Sequence, residues 1–326
     1  MRHIKNRTPI KRVGNKTCLL NEIHSLLPAK IKRYCEVFGG SGAVLFSKQK
    51  IGRELEVYND FDRNLVNFMM VIRYRPYEFL YELLKWNDNS HEEYDIIKNV
   101  FHPSTMQNLW ERKNARTYVD HVLQGKYVNR ELAFCRKLFD DTDYQDIKQL
   151  LKGRSELYDV KRAAAFFRLI YYSFRSSGKS YGGQGGDLFS MVDVLLKCSR
   201  RLAKVRIQNM DFEKLILQYD HPDTVFYLDP PYYKTEKMYD VTFGEGDHQR
   251  LQKVLSSIQG RYLLSYNDSP YIRDLYSGPG LRIVGKKRPN TYSGVKDAIF
   301  EELFIMNYNP GADSLKPAQL SLEEIV

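Results

Sequence analysis

The sequence YCEVFGGSGAVLF at residues 34–46 has the pattern of a strand, a glycine-rich turn and the start of a helix. Its apolar start predicts a β-strand at residues 34–38, its glycine-rich centre predicts a turn at Gly39–Gly42, and its apolar end predicts the start of a helix. A second strand is predicted at residues 55–58, and it ends at Asn59-Asp60. Strand, glycine turn, helix, strand and acidic residue together form the first half of a nucleotide-binding α/β unit.

The same alternation continues along the rest of the chain. Strands are predicted at residues 205–208, 225–228, 261–266, 281–284 and 302–307, and helices at 63–86, 163–174, 191–205, 247–258 and 271–276. This order predicts an α/β fold, with a mostly parallel sheet and helices on both faces. Residues 67–160 lack glycine-rich turns and strand alternation, so they predict a separate, mainly helical lobe. We therefore expect a main domain at 1–66 and 161–326, interrupted by 67–160.

The tetrad Asp229-Pro230-Pro231-Tyr232 follows directly after the apolar strand at 225–228. An open α/β sheet places its chemistry at this point, just past the carboxyl end of a strand. The two prolines fix two φ angles and remove two backbone donors. The Asp229 carboxylate and nearby carbonyls then form a rigid set of acceptors beside an aromatic ring. Such a set suits a planar ring that bears an exocyclic amine, as adenine and cytosine do.

If the cofactor is an adenosine sulfonium, the tetrad has a specific role in methyl transfer to a nucleobase. The exocyclic amine is a poor nucleophile because its lone pair is delocalised into the ring. Hydrogen bonds from both N–H groups to Asp229 and a proline carbonyl would localise that lone pair and aim it at a methyl group. Tyr232 would stack on the base. A base inside a duplex is unreachable, so the enzyme would have to flip it out.

A nucleoside cofactor is predicted from the residues at the other strand ends. Asp60 can accept hydrogen bonds from ribose hydroxyls, and Asp211-Phe212 can receive an adenine amino group and cover its ring. The turn Gly39–Gly42 lacks the third glycine of a pyrophosphate-binding loop at its usual offset. The cofactor is therefore expected to be an adenosine that carries something other than phosphates.

Charge and composition indicate a polyanionic partner. The formal net charge is +10, and the basic residues are clustered in a chain that has 24 Tyr and 17 Phe. This combination favours nucleic acid. The basic, glycine-rich loop at 175–186 and the loop at 233–247 are the predicted contacts, the second one closing over the extruded base.

Other classes of protein are disfavoured by what the sequence lacks. No apolar stretch approaches the ~18 residues of a membrane span, and the basic N-terminus is not followed by the apolar core of a secretory signal. The four cysteines are scattered without a C-x-x-C pair, so neither a metal site nor a disulfide framework is expected. A cytoplasmic protein is predicted.

Taken together, these motifs resemble the Dam-type (class α) DNA adenine-N6 methyltransferases. The resemblance covers most of the chain outside 67–160, and includes residues 9–16 (PIKRVGNK), 265–270 (SYNDSP) and 302–308 (ELFIMNY). It implies a Rossmann-like, S-adenosylmethionine-dependent methyltransferase sheet with a helical target-recognition insertion. It also implies that residues 67–160 and the loop at 175–186 read the DNA sequence.

The motifs and the resemblance together yield a set of predicted site residues. The catalytic residues are Asp229, Pro230, Pro231 and Tyr232. The residues that bind S-adenosylmethionine are Arg12, Gly14, Lys16, Phe38, Gly39, Gly40, Ser41, Gly42, Asp60, Asp211, Phe212 and Asp229. The DNA-binding residues are Arg175, Lys179, Lys234, Lys237 and Tyr239. The family usually has an aromatic residue in place of Arg12 and a glycine in place of Asn15, and Arg12 is expected to stack its guanidinium plane along the cofactor.

The predicted function is methylation of the N6 amine of a flipped adenine in double-stranded DNA. A monomer or weak dimer is expected, and the sequence gives no indication of a partner restriction endonuclease. Three alternatives remain open at this point. The same acceptors would serve the N4 amine of cytosine, the glycine turn with Asp60 would serve a nicotinamide dehydrogenase, and the departures at Arg12 and Asn15 would suit an inactive DNA-binding relative.

Overall fold

The computed structural model of the protein describes residues 8–12, 14–85, 90–101, 159–183, 186–234, 243–289 and 299–310. The chain divides into two compact units. The first consists of Met1–Lys16, Gly39–Gln49 and Val57–Asp211, and the second of Thr17–Phe38, Lys50–Glu56 and Phe212–Val326.

The described residues form a seven-stranded sheet of order β3-β2-β1-β4-β5-β7-β6. The strands are β1 Arg33–Glu36, β2 Leu55–Asn59, β3 Arg206–Gln208, β4 Thr224–Leu228, β5 Arg261–Asn267, β6 Arg282–Pro289 and β7 Ile299–Met306. The pairs β1–β4, β2–β3 and β4–β5 are parallel, whereas β7 runs antiparallel to both β5 and β6. The predicted mostly parallel α/β sheet is confirmed.

Helices alternate with these strands along the chain. They are α1 Leu20–Leu26, α2 Ala43–Ser47, α3 Arg63–Tyr74, α4 Pro76–Lys85, α5 His91–Phe101, α6 Val160–Tyr172, α7 Val192–Leu202, α8 Phe212–Tyr219, α9 Glu245–Leu255 and α10 Pro270–Leu275. Short 3₁₀ turns lie at Lys16–Leu19, Phe174–Ser176 and Leu188–Met191. None of the helices in the described ranges is both long and apolar enough to cross a membrane.

In the second unit, apolar strands form the centre of the core. All five residues of β4 are buried, and so are the five central residues of β5. A parallel strand covered on both faces reads as a continuous apolar run, and for this reason residues 225–228 predicted a strand so clearly.

In the first unit, an aromatic cluster joins three helices. The rings of Phe68 on α3, Phe79 on α4 and Phe167 on α6 lie 5.5–5.9 Å apart, and all three are buried. The predicted helix at 63–86 is in fact two helices, because a residue before proline avoids helical geometry. Arg75 precedes Pro76 and has φ −136° and ψ 45°.

The helix α8 was not predicted, although its buried residues Phe212, Leu215, Ile216 and Tyr219 follow helical spacing. The predicted helical lobe at 67–160 contains α3 from its middle onward, α4 and α5, but residues 102–158 lie outside the described residues. That domain boundary stays a prediction.

Candidate active site

The glycine turn in the first unit is held in a conformation that requires glycine. Gly40 has φ +51° and Gly42 has φ +70°, in the left-handed region that other residues avoid. The Gly39 N–H donates to Asn59 O at 2.7 Å, and the Gly42 N–H donates to Gly39 O at 2.7 Å. The turn is therefore fixed at the end of β2 and leads directly into α2.

Tyr58 supports one side of this turn and leaves the other side open. Its hydroxyl donates to Gly40 O at 2.7 Å, and its ring is completely buried. A Cβ at Gly39 would lie only 2.2 Å from that ring, whereas a Cβ at Gly40 would meet no atom of the described residues within 4 Å. The backbone at Gly40 is thus open to close approach by a ligand, which is the reason a glycine is useful there.

Asp60 connects the turn to the next segment of chain. Its Oδ2 accepts from the Gly40 N–H at 2.8 Å, and its Oδ1 accepts from the Asp62 N–H at 2.8 Å. Burial raises the pKa of Asp60, and the neighbouring Asp62 charge raises it further. Each carboxylate oxygen has a second lone pair, so Asp60 can still accept hydrogen bonds from ligand hydroxyls.

Two amide side chains, the buried Asn59 and the half-buried Asn209, bring the ends of β2 and β3 together. Asn59 is 1% exposed; its Nδ2 donates to Met210 O at 3.1 Å and its Oδ1 accepts from the Met210 N–H at 2.8 Å. Asn209 donates to the carbonyls of Asp60 at 2.8 Å and Phe61 at 3.1 Å. These bonds bring the chain at Asp60 beside Asn209 and Met210, the residues that precede Asp211. The shared adenosine site of Asp60 and Asp211 stays a prediction. The sequence interpretation missed Asn209.

The N-terminal segment contributes Arg12, Gly14 and Lys16 to the first unit. Arg12 forms an ion pair with Asp62 at 3.0 Å, and its guanidinium carbon lies 5.8 Å from the centre of the Phe166 ring. Lys16 is buried and donates to Gly14 O at 3.1 Å, where Gly14 has φ +80°. The Asp62 partner of Arg12 was not anticipated, and the contact of Arg12 with a cofactor stays a prediction.

In the second unit, the tetrad Asp229–Tyr232 follows β4 as predicted. The buried Ser265 hydroxyl on β5 donates to Asp229 Oδ1 at 3.0 Å and lies 3.3 Å from Leu228 O. Asp229 itself is only half-buried. The Asp229 carboxylate is therefore held in one orientation by Ser265, and its exposed part can still contact a ligand.

The Tyr232 hydroxyl is anchored in the interior of the same unit. It donates to Glu302 Oε1, and Glu302 on β7 is completely buried. Burial raises the pKa of Tyr232 well above its ordinary value, and the charges of Asp229 and Glu302 raise it further. The phenol therefore stays protonated and acts as a donor, and its ring position is fixed by Glu302. A glutamate directly before the apolar run at 303–306 was a signal of this role that sequence reasoning did not use.

Other predicted residues of the second unit lie in aromatic clusters. The rings of Phe38, Phe212 and Phe243 lie 5.7–5.8 Å apart, so two predicted cofactor residues contact each other and a third ring. Arg250 lies over Phe212 at 4.7 Å. The exposed Lys234 has φ +66°, and its amine lies 5.5 Å from the Tyr233 ring. Lys237 and Tyr239 lie outside the described residues.

The predicted DNA-binding loop of the first unit has a hairpin form. Ser173 and Tyr181 form a β-bridge, and the Gly182 N–H donates to Tyr172 O at 2.8 Å. Arg175 and Lys179 are both exposed between these ends, and Arg175 has φ +52°. The loop thus presents both predicted basic side chains at its surface.

A mostly parallel α/β sheet with an oriented Asp-Pro-Pro-Tyr tetrad after its central strand is the arrangement expected of enzymes that methylate nucleobase amines. Residues 13–290 match the family model described as D12 class N6 adenine-specific DNA methyltransferase. The chain belongs to this family and is an adenine-specific DNA methyltransferase. This finding confirms the resemblance deduced from the motifs and favours adenine N6 over the cytosine, dehydrogenase and inactive alternatives.

A relative supports the same assignment. The chain is 27% identical over 318 residues to the Type II methyltransferase M.MjaIII of Methanocaldococcus jannaschii, and the match covers 92% of this chain and 98% of the relative. The similarity therefore extends across both compact units.

Proposed function

We propose that the enzyme uses S-adenosylmethionine to methylate the N6 amine of an adenine flipped out of double-stranded DNA. The observation that carries this proposal is the Asp229 carboxylate, oriented by Ser265 at 3.0 Å next to two prolines. A carboxylate that is fixed before substrate binds loses little entropy when it accepts a hydrogen bond, so the site is preorganised for an amine.

The first unit fits the nucleoside part of the cofactor. Asp60 has lone pairs for ribose hydroxyls, Gly40 leaves its backbone open, and Asp211 follows a strand end where an adenine amino group can be received. A raised pKa at Asp60 suits a group that gains hydroxyl donors on binding, because those donors stabilise its charged form. When bound, S-adenosylmethionine supplies an electrophilic methyl group.

The second unit fits the target base. Asp229 and a proline carbonyl accept the two N–H groups of the amine, which directs its lone pair toward the methyl donor. Tyr232 offers a ring whose position is fixed by its hydroxyl bond to Glu302, and stacking on a base contributes roughly 1–3 kcal/mol. Held in this way, the amine needs no metal ion to become nucleophilic.

DNA recognition is proposed for residues outside this chemistry. Arg175 and Lys179 on the hairpin and Lys234 after the tetrad are exposed cations that suit phosphate groups. Lys237 and Tyr239 are proposed to act with them. Residues 67–160 together with the loop at 175–186 are proposed to select the sequence, whereas 1–66 and 161–326 carry the catalytic machinery. The proposed enzyme acts in the cytoplasm as a monomer or weak dimer, with or without a restriction endonuclease.

Methylation of unmethylated plasmid DNA tests the proposal. The purified chain is incubated with labelled S-adenosylmethionine, the DNA is digested to nucleosides, and the products are identified by mass spectrometry. N6-methyladenine is the expected product. N4-methylcytosine as the sole methylated nucleoside, or the absence of any methylated nucleoside, would refute the proposal.

Two asparagine variants at opposite ends of β4 test the role of Asp229. Asp229→Asn exchanges one acceptor oxygen for a donor, and we expect a rate at least about 100-fold lower, the scale seen when a preorganised catalytic hydrogen bond is lost. The matched control is Asp223→Asn, because Asp223 precedes β4 and its exposed side chain pairs with Lys32. A normal rate for Asp229→Asn would exclude the amine-orienting role.

A further inference from the structure

One buried histidine in the second unit makes both a hydrogen bond to β5 and several aromatic ring contacts. Neither the sequence motifs nor the proposed chemistry uses this residue. His248 on α9 is 0% exposed, and its Nδ1 lies 2.7 Å from the hydroxyl of Tyr266 on β5. The Tyr266 ring in turn lies 6.0 Å from the ring of Tyr232 in the tetrad. Tyr266 therefore connects His248 to Tyr232 of the tetrad.

His248 also contacts the described residues on either side of 235–242, the segment that follows the tetrad. Tyr233 meets the imidazole edge-on at 5.7 Å, and Phe243 meets it edge-on at 4.9 Å. Tyr233 is further fixed by stacking on Tyr271 at 4.3 Å and by a bond from Asn267 Nδ2 to its carbonyl at 3.2 Å.

The start of α9 is built to hold His248 in this position. Gly244 is the N-cap, its N–H donates to Asp247 Oδ2 at 2.9 Å, and the Asp247 N–H donates to Gly244 O at 2.9 Å. Phe243 precedes the cap and packs on His248 in the fourth helical position, which is the arrangement of a hydrophobic staple. The staple and the reciprocal bonds together fix the direction in which the chain enters α9.

We propose that His248 is a positioning residue for DNA methylation, acting through its bond to Tyr266 and its ring contacts with Tyr233 and Phe243. The bond fixes the Tyr266 ring that supports Tyr232, and the ring contacts fix the chain that leaves the tetrad. This inference rests on the proposed function only in assuming that the tetrad holds the target amine.

A double-mutant cycle separates the effect of the His248–Tyr266 hydrogen bond from that of the ring contacts made by His248. His248→Phe keeps an aromatic ring and removes the bond, and Tyr266→Phe removes the same bond from the other side. We expect each variant to lower the single-turnover rate of plasmid methylation by about 3- to 10-fold, as for the loss of one buried hydrogen bond. The double variant should be no slower than the slower single variant, because the bond can be lost only once.

Tyr276→Phe is the matched control. Tyr276 is 1% exposed and its ring lies 6.2 Å from that of Tyr266, but its hydroxyl makes no hydrogen bond with any described residue. This variant should methylate DNA at the wild-type rate. A slower rate would mean that any change in this cluster of rings affects methylation, and would remove the specific role of the His248 bond.

Two further measurements distinguish positioning from a loss of folded protein. The fraction of active enzyme, measured as the burst amplitude, and the affinity for S-adenosylhomocysteine, measured by calorimetry, should stay unchanged in His248→Phe and Tyr266→Phe. Wild-type rates in both variants, additive losses in the double variant, or a burst amplitude that falls in proportion to activity would each overturn the proposal. If the wild-type enzyme gives no N6-methyladenine, the proposed function fails instead.

Discussion

Gly39→Ala is expected to disrupt the glycine turn by collision. The new methyl carbon would lie 2.2 Å from Tyr58 Cε2 and 2.5 Å from Cζ. Since carbon atoms pack at about 3.5–4.0 Å, the ring or the turn has to move by more than about 1 Å. The ring is completely buried, and its hydroxyl is bonded to Gly40 O at 2.7 Å, so neither can move freely.

The expected cost has two parts. Overpacking a buried site costs about 1–3 kcal/mol, and losing the bond from Tyr58 to Gly40 costs about 0.5–1.5 kcal/mol. The free energy of unfolding should therefore fall by about 1.5–4.5 kcal/mol. Urea unfolding followed by circular dichroism measures this value, and calorimetry with S-adenosylhomocysteine measures the accompanying loss of cofactor affinity.

Gly40→Ala is the matched control in the same turn. Its methyl group would meet no atom of the described residues within 4 Å, and the φ of +51° opposes the substitution at a cost of about 1–2 kcal/mol. The methyl group would, however, occupy the open side of the turn where the nucleoside is proposed to bind. We expect Gly40→Ala to lose more cofactor affinity than its loss of stability accounts for.

A second background tests the collision itself. In Tyr58→Val the ring is absent, so adding Gly39→Ala should cost less than about 1 kcal/mol, because the clashing partner is gone. A wild-type unfolding free energy for Gly39→Ala, or a cost in the Tyr58→Val background as large as in the wild type, would rule out the collision with Tyr58.

Two further predictions concern pH and salt. Burial raises the pKa of Asp159 from 3.8 to about 6. A carboxyl whose pKa is higher in the folded state stabilises the fold while it is protonated. This contribution is lost as the pH rises from about 4 through 6. Asp159→Asn keeps the helix cap, so its gain in unfolding free energy over the wild type should grow between pH 4 and pH 7 to about 1–3 kcal/mol, and a pH-independent gain would contradict this. Arg175→Ala and Lys179→Ala should each weaken DNA binding and lower the slope of log affinity against log salt concentration by about one. The control Lys214→Ala, on an exposed face of α8, should leave this slope unchanged. Unchanged slopes for Arg175→Ala and Lys179→Ala in titrations at several salt concentrations would exclude their phosphate contacts.

Most strands were predictable because each has a local signal. The buried run at 225–228 and the glycine turn at 39–42 depend on residues close together in the sequence. The functional tetrad was recognisable for the same reason, since its prolines and aspartate act as one short rigid unit. Local patterns also explain the error at Arg75, where helical periodicity was followed across a proline.

The residues that orient the site could not be found in this way. Ser265 bonds to Asp229 across 36 positions of sequence, and Asn209 bonds to Asp60 across 149. Neither residue has a recognisable signal in the sequence. Strand pairing brings each of them to the same end of the strands as its partner. The sequence contains these residues, but their roles depend on the order of strands, which local patterns do not specify.

Glu302 shows most directly how strand order determines the site. Because β7 pairs antiparallel with β5, Glu302 lies opposite Asn267, at the end of β5. Asn267 donates to the carbonyl of Tyr233, and Glu302 accepts from the hydroxyl of Tyr232. Two residues that face each other across β5 and β7 therefore bind two residues that are neighbours in the sequence. A parallel strand beside β5 would reverse the direction of this pairing. The antiparallel strand is therefore part of the machinery that fixes the tetrad, as well as part of the sheet.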